Sequence, residues 1–530
     1  MNVSDAKYHN THISVGTETG EPLRMQILGP GGTGKSLLIG AITETFEFYN
    51  CSSRLAKTAT SGIAASDIGG QTIHSWCGLP INVPRGDDWV DKAAPGTKTR
   101  RARNMQGKWL LIIDEVSMLN KTMLFCISEI INHCLAENGE GNLHDAFRGL
   151  DIILTGDYHQ FPPVAGKALY QDDSLKDGAR DRIGRELFKL FDTVIMLTQQ
   201  VRVCDQGWTD ILNRLRIGDC TDHDLDEINK LIIGNPRGEE VNFRSAPWNE
   251  AILVTPRHAV REEWNDAALK RHCKMTRNRR YVVNSEDFDK VSGEELSPQC
   301  RLAVASMDSK HTGKLPDRLQ LAVGMKAMVL LNVSTEGDIA NGTRGTITDI
   351  VLDPREPPTT ELKDGSVRLV YPPALVMFKP DKPSKLTFDG IDDPGVVPIL
   401  PTTATFTASF KHNGSPQSVK VKRRQYAMTA GYAFTDYKSQ GQTIEYVIID
   451  LSKPPGGGGS LSPFNAYVAL SRSRGRQNIR LLRKYDEELF IHHPSEDLRV
   501  EMVRLHRLER ETAMKNSNMP FFVCRVVNET

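Results

Sequence analysis

Residues 29–36 read Gly-Pro-Gly-Gly-Thr-Gly-Lys-Ser, after the apolar run Met25-Gln26-Ile27-Leu28 and before a helical pattern from Leu37 to about Phe48. Strand, glycine-rich turn and helix in that order match a phosphate-binding loop. Glycines let backbone N–H groups crowd around an anion. The helix turns its unpaired donors and the positive end of its dipole toward the same charge. Gly29, Gly31, Gly32, Thr33 and Gly34 are thus expected to cradle phosphates, Lys35 to reach the terminal ones, and the Ser36 hydroxyl to hold Mg²⁺.

The rest of the chain decides what kind of nucleotide protein this is. At 530 residues it exceeds a single core, and about two to four domains are expected. Lys plus Arg equals Asp plus Glu at 66 each, so a global basic field is excluded and nucleic-acid binding must use local patches. The 9 cysteines include no C-x-x-C pair and no Cys/His cluster at zinc spacing, which argues against a metal ribbon and fits a reducing compartment. No apolar run approaches a membrane span, and Asp5, Glu18 and Glu21 argue against a mitochondrial presequence.

From 25 to about 200, helical stretches alternate with continuous apolar runs such as Leu110-Leu111-Ile112-Ile113, Asp151-Ile152-Ile153-Leu154 and Val194-Ile195-Met196-Leu197. Runs of that kind are strands covered on both faces, so an α/β fold with a parallel sheet is expected over 23–215, after a loose arm at 1–22. About 80–108 is rich in Pro, Gly and charge (Lys98, Arg100, Arg101, Arg103, Lys108) and reads as a disordered loop or a small subdomain. A second α/β signal, Ala251–Val254, resumes at Tyr446–Asp450 and Ile479–Leu482 and assigns 216–340 and 426–495 to a second domain. Short strands and turns at 341–425, with Asn341-Gly342, read as an inserted antiparallel β unit. Residues 285–315 read as a surface loop, Gly456–Gly459 as a flexible connection, and 496–530 as a docked helix.

Asp114-Glu115 ends an apolar strand. In such sites the first acid holds hydrated Mg²⁺ and the second orients and deprotonates the attacking water. Gln160 follows the next strong strand, where an amide can sense the γ-phosphate. Arg202 and Arg472 sit beyond strand or helix patterns, and the arginine fork suits charge developing on a transferring phosphoryl group.

Six segments then fall in a telling order: Ala59–Ala65, Thr72–Trp76, Ile112–Leu119, Gly156–Val164, Tyr437–Thr443 and Tyr467–Arg472. Their sequences (ATSGIAA, TIHSW, IIDEVSML, GDYHQFPPV, YKSQGQT, YVALSR) and their order resemble those of PIF-type DNA helicases. These are superfamily 1 enzymes moving 5′ to 3′, and they include relatives in Helitron transposons. The resemblance covers about residues 24–490. It implies two RecA-like P-loop domains with parallel sheets, an inserted Src-homology-type β-barrel and a wedge-bearing insertion at about 80–108. Lys35, Ser36, Asp114, Glu115, Gln160, Arg202 and Arg472 match family positions for ATP and Mg²⁺. Thr60, Ser61, Gly62, Thr72 and His74 match segments along single-stranded DNA in the first domain. Lys438, Ser439 and Gln440 match the strip in the second, where Gly441 and Thr443 couple DNA to nucleotide.

This chain departs from the family at several places. Gln26 lies within the strand and not on an upstream helix that reads adenine, Tyr437 replaces a usual His, and Phe161 replaces a usual Leu. The two aromatic replacements keep a stacking surface expected to meet DNA. The nuclease domain of Helitron proteins is absent, so strand cleavage is not expected. His74 and Trp76 are either DNA-facing or core residues of a short helix. Lys420, Lys422, Arg423 and Arg424 are a solvated strand face, a nuclear address or a DNA patch.

The resulting expectation is a monomeric, ATP-driven helicase acting on single-stranded, duplex or forked DNA. It implies an intracellular, nuclear setting and work in DNA repair, recombination and telomere maintenance. The same motor residues would serve a translocase that remodels protein–DNA complexes. A mobile-element remnant lacking activity would retain only DNA binding.

Overall fold

The protein is seen as a computed structural model that describes residues 21–80, 89–142, 145–175, 177–308, 311–333, 339–382, 384, 386–412, 415–453 and 461–515. Most of the expected arm at 1–22, the first part of the 80–108 excursion, the glycine run 456–459 and the segment past 515 lie outside the described residues. The chain forms two compact units, Met1–Pro256 with Ser439–Thr530, and Arg257–Lys438. That division groups the two stretches of parallel strands together and differs from the boundaries read from the sequence.

In the first unit the chain runs β1 (Arg24–Leu28), α1 (Lys35–Phe48), β2 (Leu55–Ala59), α2 (Gly62–Asp67), β3 (Gln71–Thr72) and α3 (Ile73–Cys77). It continues through α4 (Pro95–Met105), β4 (Leu110–Asp114), α5 (Lys121–Glu137), β5 (Asp151–Gly156), α6 (Ala179–Lys189), β6 (Thr193–Met196), α7 (Gln206–Ile217) and, further on, β7 (Ile252–Val254). Six strands form one sheet in the order β3-β2-β4-β5-β1-β6, with every pairing parallel. Strand β4 is buried at all of its residues because both faces are covered. Ile112 and Ile153 pack with Ile39 and Phe46 of α1, whereas Ile113 and Leu154 join Ile127 and Ile130 of α5.

The helix Glu496–Lys515 supplies Leu498, Leu505 and Leu508 to that second cluster. Its Thr512 hydroxyl accepts the Val194 N–H at 3.0 Å, which satisfies a donor of the edge strand β6. A smaller parallel set joins β7 to Val447–Ile449, and that strand to Ile479–Leu481. Parallel strands all end on one side, so the loops after β1, β2, β4 and β5 share a single edge.

Within the excursion, α4 packs against the first unit. Arg101 is buried and donates to the carbonyls of Cys77 (2.8 Å), Gly78 (3.0 Å) and Val90 (3.3 Å), while Arg100 and Arg103 stay exposed. The charge-rich composition hid an anchoring role for one of its arginines.

The second unit contains an antiparallel sheet of Val397–Ile399, Leu375–Pro380, Arg344–Val351, Lys326–Val329 and Met428–Ala430, in that order. Two of its strands fall outside the expected 341–425 limits. The segment 285–315, read as a loop, instead contains strand Glu286–Asp289 and helix Pro298–Ala305. Leu296, Cys300 and Val304, spaced by four, pack on Phe406, Ala408 and Val421 of a long hairpin. That spacing was a helical signal diluted by polar neighbours.

The basic run on this hairpin divides by strand alternation. Lys420 and Lys422 are exposed, while Arg423 is 1% exposed and bonds Asp287 (2.8 and 2.7 Å) and Asp317 (3.1 Å). Arg423→Ala should leave Asp287 without its principal partner and cost about 3 kcal/mol of stability, read from chemical denaturation. Lys422→Ala should leave stability nearly unchanged.

Candidate functional site

The loop after β1 adopts its shape through glycine. Gly32 and Gly34 have φ of 92° and 87°, in the left-handed region that costs other residues most. A Cβ on Gly32 would also lie 2.3 Å from Gln200 Oε1. The segment after β6 holds the loop from the side: Gln200 Nε2 donates to the Gly31 carbonyl (3.0 Å), and the N–H groups of Val201 and Arg202 donate to that of Gly32 (2.8 and 3.2 Å). Lys35 Nζ donates to the carbonyls of Gly29 (2.7 Å) and Pro30 (2.9 Å). Burial lowers its pKa, against the pull of Asp157, Glu115 and Asp114. Ser36 is exposed at the start of α1, and Thr33 is buried, its hydroxyl bonded to the Pro30 carbonyl.

Asp114 ends β4 and accepts a hydrogen bond from the Thr155 hydroxyl. Glu115 follows in a left-handed conformation (φ 57°), a strained geometry for a non-glycine residue. Thr60 stabilises this turn: its hydroxyl donates to the Glu115 carbonyl (3.0 Å) and its N–H to that of Asp114 (3.2 Å). Gln440 Nε2 donates to Glu115 Oε2 at 2.9 Å. Burial raises the pKa of both acids; that of Glu115 is pushed to about 7, with Asp114 adding to the rise.

Three further side chains meet at Gly31. A Cβ built there would lie 3.0 Å from Arg472 Nη2, 3.5 Å from Gln160 Nε2 and 3.6 Å from Arg202 Nη1. Arg472 is 1% exposed, bonded through Nε to the Val468 carbonyl (2.6 Å) and through Nη2 to the Ser471 hydroxyl (2.6 Å). Burial, and then Arg202, bring its pKa down to about 9. Arg202 Nη1 donates to the Ser471 carbonyl at 3.2 Å. Among the described residues, the buried Oε1 atoms of Gln160 and Gln440 have no hydrogen-bond partner.

This donor set fits a triphosphate with Mg²⁺. Two guanidiniums, an ammonium and a helix N-terminus converge beside two carboxylates, and a polyanion would relieve the mutual repulsion of the cations. Orphaned amide oxygens would suit water ordered in such a site.

The residues matched to DNA contact divide. Ser61 and Thr72 are partly exposed and cap α2 and α3, accepting from the N–H groups of Ala64 and Ser75 (3.2 Å each). Gly62 is partly exposed and Thr443 fully so; His74 is half-buried, with its pKa lowered by that burial. Trp76 is a core residue. Phe161 requires a correction: at 1% exposure in the same core, its ring has no free face for a base. Ser439 and Gln440 are buried as well, and Gln440 is turned to Glu115. A Cβ on Gly441 (φ 77°) would lie 3.5 Å from Glu115 Oε1. Lys438 belongs to the other unit, where burial and Arg261 lower its pKa to about 8.

Sequence reasoning missed Gln200, Asp157, Tyr467 and Arg216. Asp157 and Tyr467 stand inside the motif segments, so position offered a signal for them. Arg216 offered none.

A parallel sheet with a phosphate loop after its inner strand and paired acids after another defines a RecA-like P-loop nucleotide-binding protein. The family model of PIF1-like helicases matches residues 6–223. The ATP-dependent DNA helicase PIF1 of Candida albicans is 26% identical over 513 residues, which cover 86% of this chain and 52% of that protein. The crystal structure of the Candida albicans Pif1 helicase aligns with a TM-score of 0.63 at 23% identity, over 92% of this chain and 96% of the other. Bacteroides Pif1 bound to single-stranded DNA aligns at 0.61 and 20%, over 93% and 95%. At these identities the structural likeness establishes the fold. Over residues 6–223 the chain matches the PIF1-like helicase family model, and it spans about half the length of the curated relatives it matches.

Proposed function

We propose that this chain is an ATP-dependent DNA helicase that moves 5′ to 3′ along single-stranded DNA and separates duplex or forked DNA. The observation that carries this reading is the meeting of Arg472, Gln160 and Arg202 at Gly31, beside the Glu115–Gln440 bond. The match of residues 6–223 to the PIF1-like helicase family model and the ligands named for the solved relatives support the choice of ATP and DNA.

In this reading Lys35 leaves its own loop carbonyls to neutralise the terminal phosphates, and Glu115 takes the proton of the water that attacks the γ-phosphorus. The bond to the β–γ bridging oxygen breaks, while Arg472 and Arg202 meet the charge developing on the phosphoryl oxygens. Ser36 and Asp114 would hold Mg²⁺, which supplies charge neutralisation and alignment of the phosphates. Gln160 positions the attacking water and registers loss of the γ-phosphate.

Thr60, Ser61, Gly62, Thr72, His74 and Thr443 serve the DNA path. Thr60 also touches Glu115 and so offers a direct route by which strand binding adjusts the base. Lys35→Ala is expected to abolish DNA-stimulated hydrolysis with the fold intact, read by phosphate release and circular dichroism. Wild-type turnover in a folded Lys35→Ala protein would overturn the reading.

A further inference from the structure

A buried hydrogen-bond relay lies behind the site and joins four separate parts of it. Tyr467, 3% exposed on the helix Pro463–Leu470, accepts the Gly31 N–H through its hydroxyl oxygen (3.3 Å). The same hydroxyl donates to Asp157 Oδ2 at 2.9 Å. Asp157 is 0% exposed, and its Oδ1 accepts from Arg216 Nη2 (2.8 Å) and from the His159 N–H (3.1 Å).

The proton order in this relay is fixed. Buried beside the Arg216 guanidinium, the Asp157 carboxyl is held well below the usual range despite the cost of its burial. An ionised carboxylate only accepts, so the Tyr467 hydroxyl must give its proton to Asp157 and keep its oxygen lone pairs for Gly31. Reversing the donor would leave the buried Tyr467 O–H without an acceptor.

Three of the four members also lie on backbone that carries the site. Gly31 is the point that Arg472, Gln160 and Arg202 approach. Asp157 lies three residues before Gln160, and Tyr467 lies five before Arg472, which stands just past the end of that helix. Arg216 ties the assembly to α7.

We propose that Tyr467 is a positioning residue that registers the phosphate loop against the Gln160 and Arg472 segments through the Gly31 amide and Asp157. The inference deepens the ATPase reading, but its first test does not depend on turnover. Tyr467→Phe removes one oxygen and keeps the ring. In nucleotide-free protein, hydrogen exchange at the Gly31 amide is expected to quicken about 3- to 10-fold, with the melting temperature nearly unchanged. With saturating DNA, kcat is expected to fall on the order of 10- to 100-fold while the KM for ATP moves less than about threefold. Asp157→Asn, which keeps the shape but replaces one of the two acceptor oxygens with an NH₂ donor, cannot accept on both sides and should reproduce the exchange change.

Unchanged exchange at Gly31 in Tyr467→Phe overturns the inference whatever the rate does, and so does a loss confined to KM. A wild-type chain without ATP turnover would sink the functional reading, yet the exchange comparison would still decide this one.

Discussion

Arg472→Ala is expected to lower DNA-stimulated ATP hydrolysis by about 10³-fold or more, with nucleotide binding weakened far less. The guanidinium is almost wholly buried, and two of its bonds, to Val468 and Ser471, fix its plane. It is thereby aimed before any charge develops, which is what electrostatic preorganisation requires. Burial and the neighbouring Arg202 already make its positive charge costly, so an anionic transition state is its natural complement. Arg472→Lys keeps a charge but loses the planar fork, and should recover only a small part of the rate. Phosphate-release kinetics alongside a fluorescent-nucleotide titration separate the two effects. Equal losses of rate and binding would mean that Arg472 contributes uniform binding and not transition-state stabilisation.

Glu115→Gln should lower kcat by about 10²- to 10⁴-fold while nucleotide and DNA still bind. The amide keeps the size of the side chain and can still bond Gln440, but it cannot take a proton. Since burial and Asp114 push the Glu115 pKa to about 7, the wild-type carboxyl is protonated, and inactive as a base, on the acid side of that value. The wild-type rate should therefore rise through pH 7 and level off above it, and the residual rate of Glu115→Gln should lack that limb. A wild-type profile flat from pH 6 to 8 would remove Glu115 from the proposed role.

Much of the first sheet could be read from residue order. Continuous apolar runs marked strands covered on both faces, and the glycine-rich loop marked the strand at which the site gathers. The acids and arginines assigned to nucleotide chemistry do meet around Gly31 and Glu115. Other features depended on distant packing. Phe161 was read as a stacking surface for DNA because it stands where the resembled family has a Leu, whereas the cluster that buries it includes side chains from several remote helices. Gln440 sits in a segment matched to DNA, yet its amide meets a carboxylate 325 residues away. Arg216 lies in an ordinary amphipathic helix, and only the fold brings it to Asp157. The alternation at 420–424 shows the same limit: Lys420 and Lys422 are exposed and Arg424 partly so, while Arg423, of opposite strand parity, is buried.

Strand separation on tailed duplexes tests the central claim most directly. With ATP and Mg²⁺, the protein should separate a duplex carrying a 5′ single-stranded tail and leave a 3′-tailed duplex paired, and Lys35→Ala should separate neither. Separation from the 3′ tail, or separation that persists in Lys35→Ala, would contradict a motor that couples hydrolysis at Gly31 to 5′-to-3′ movement.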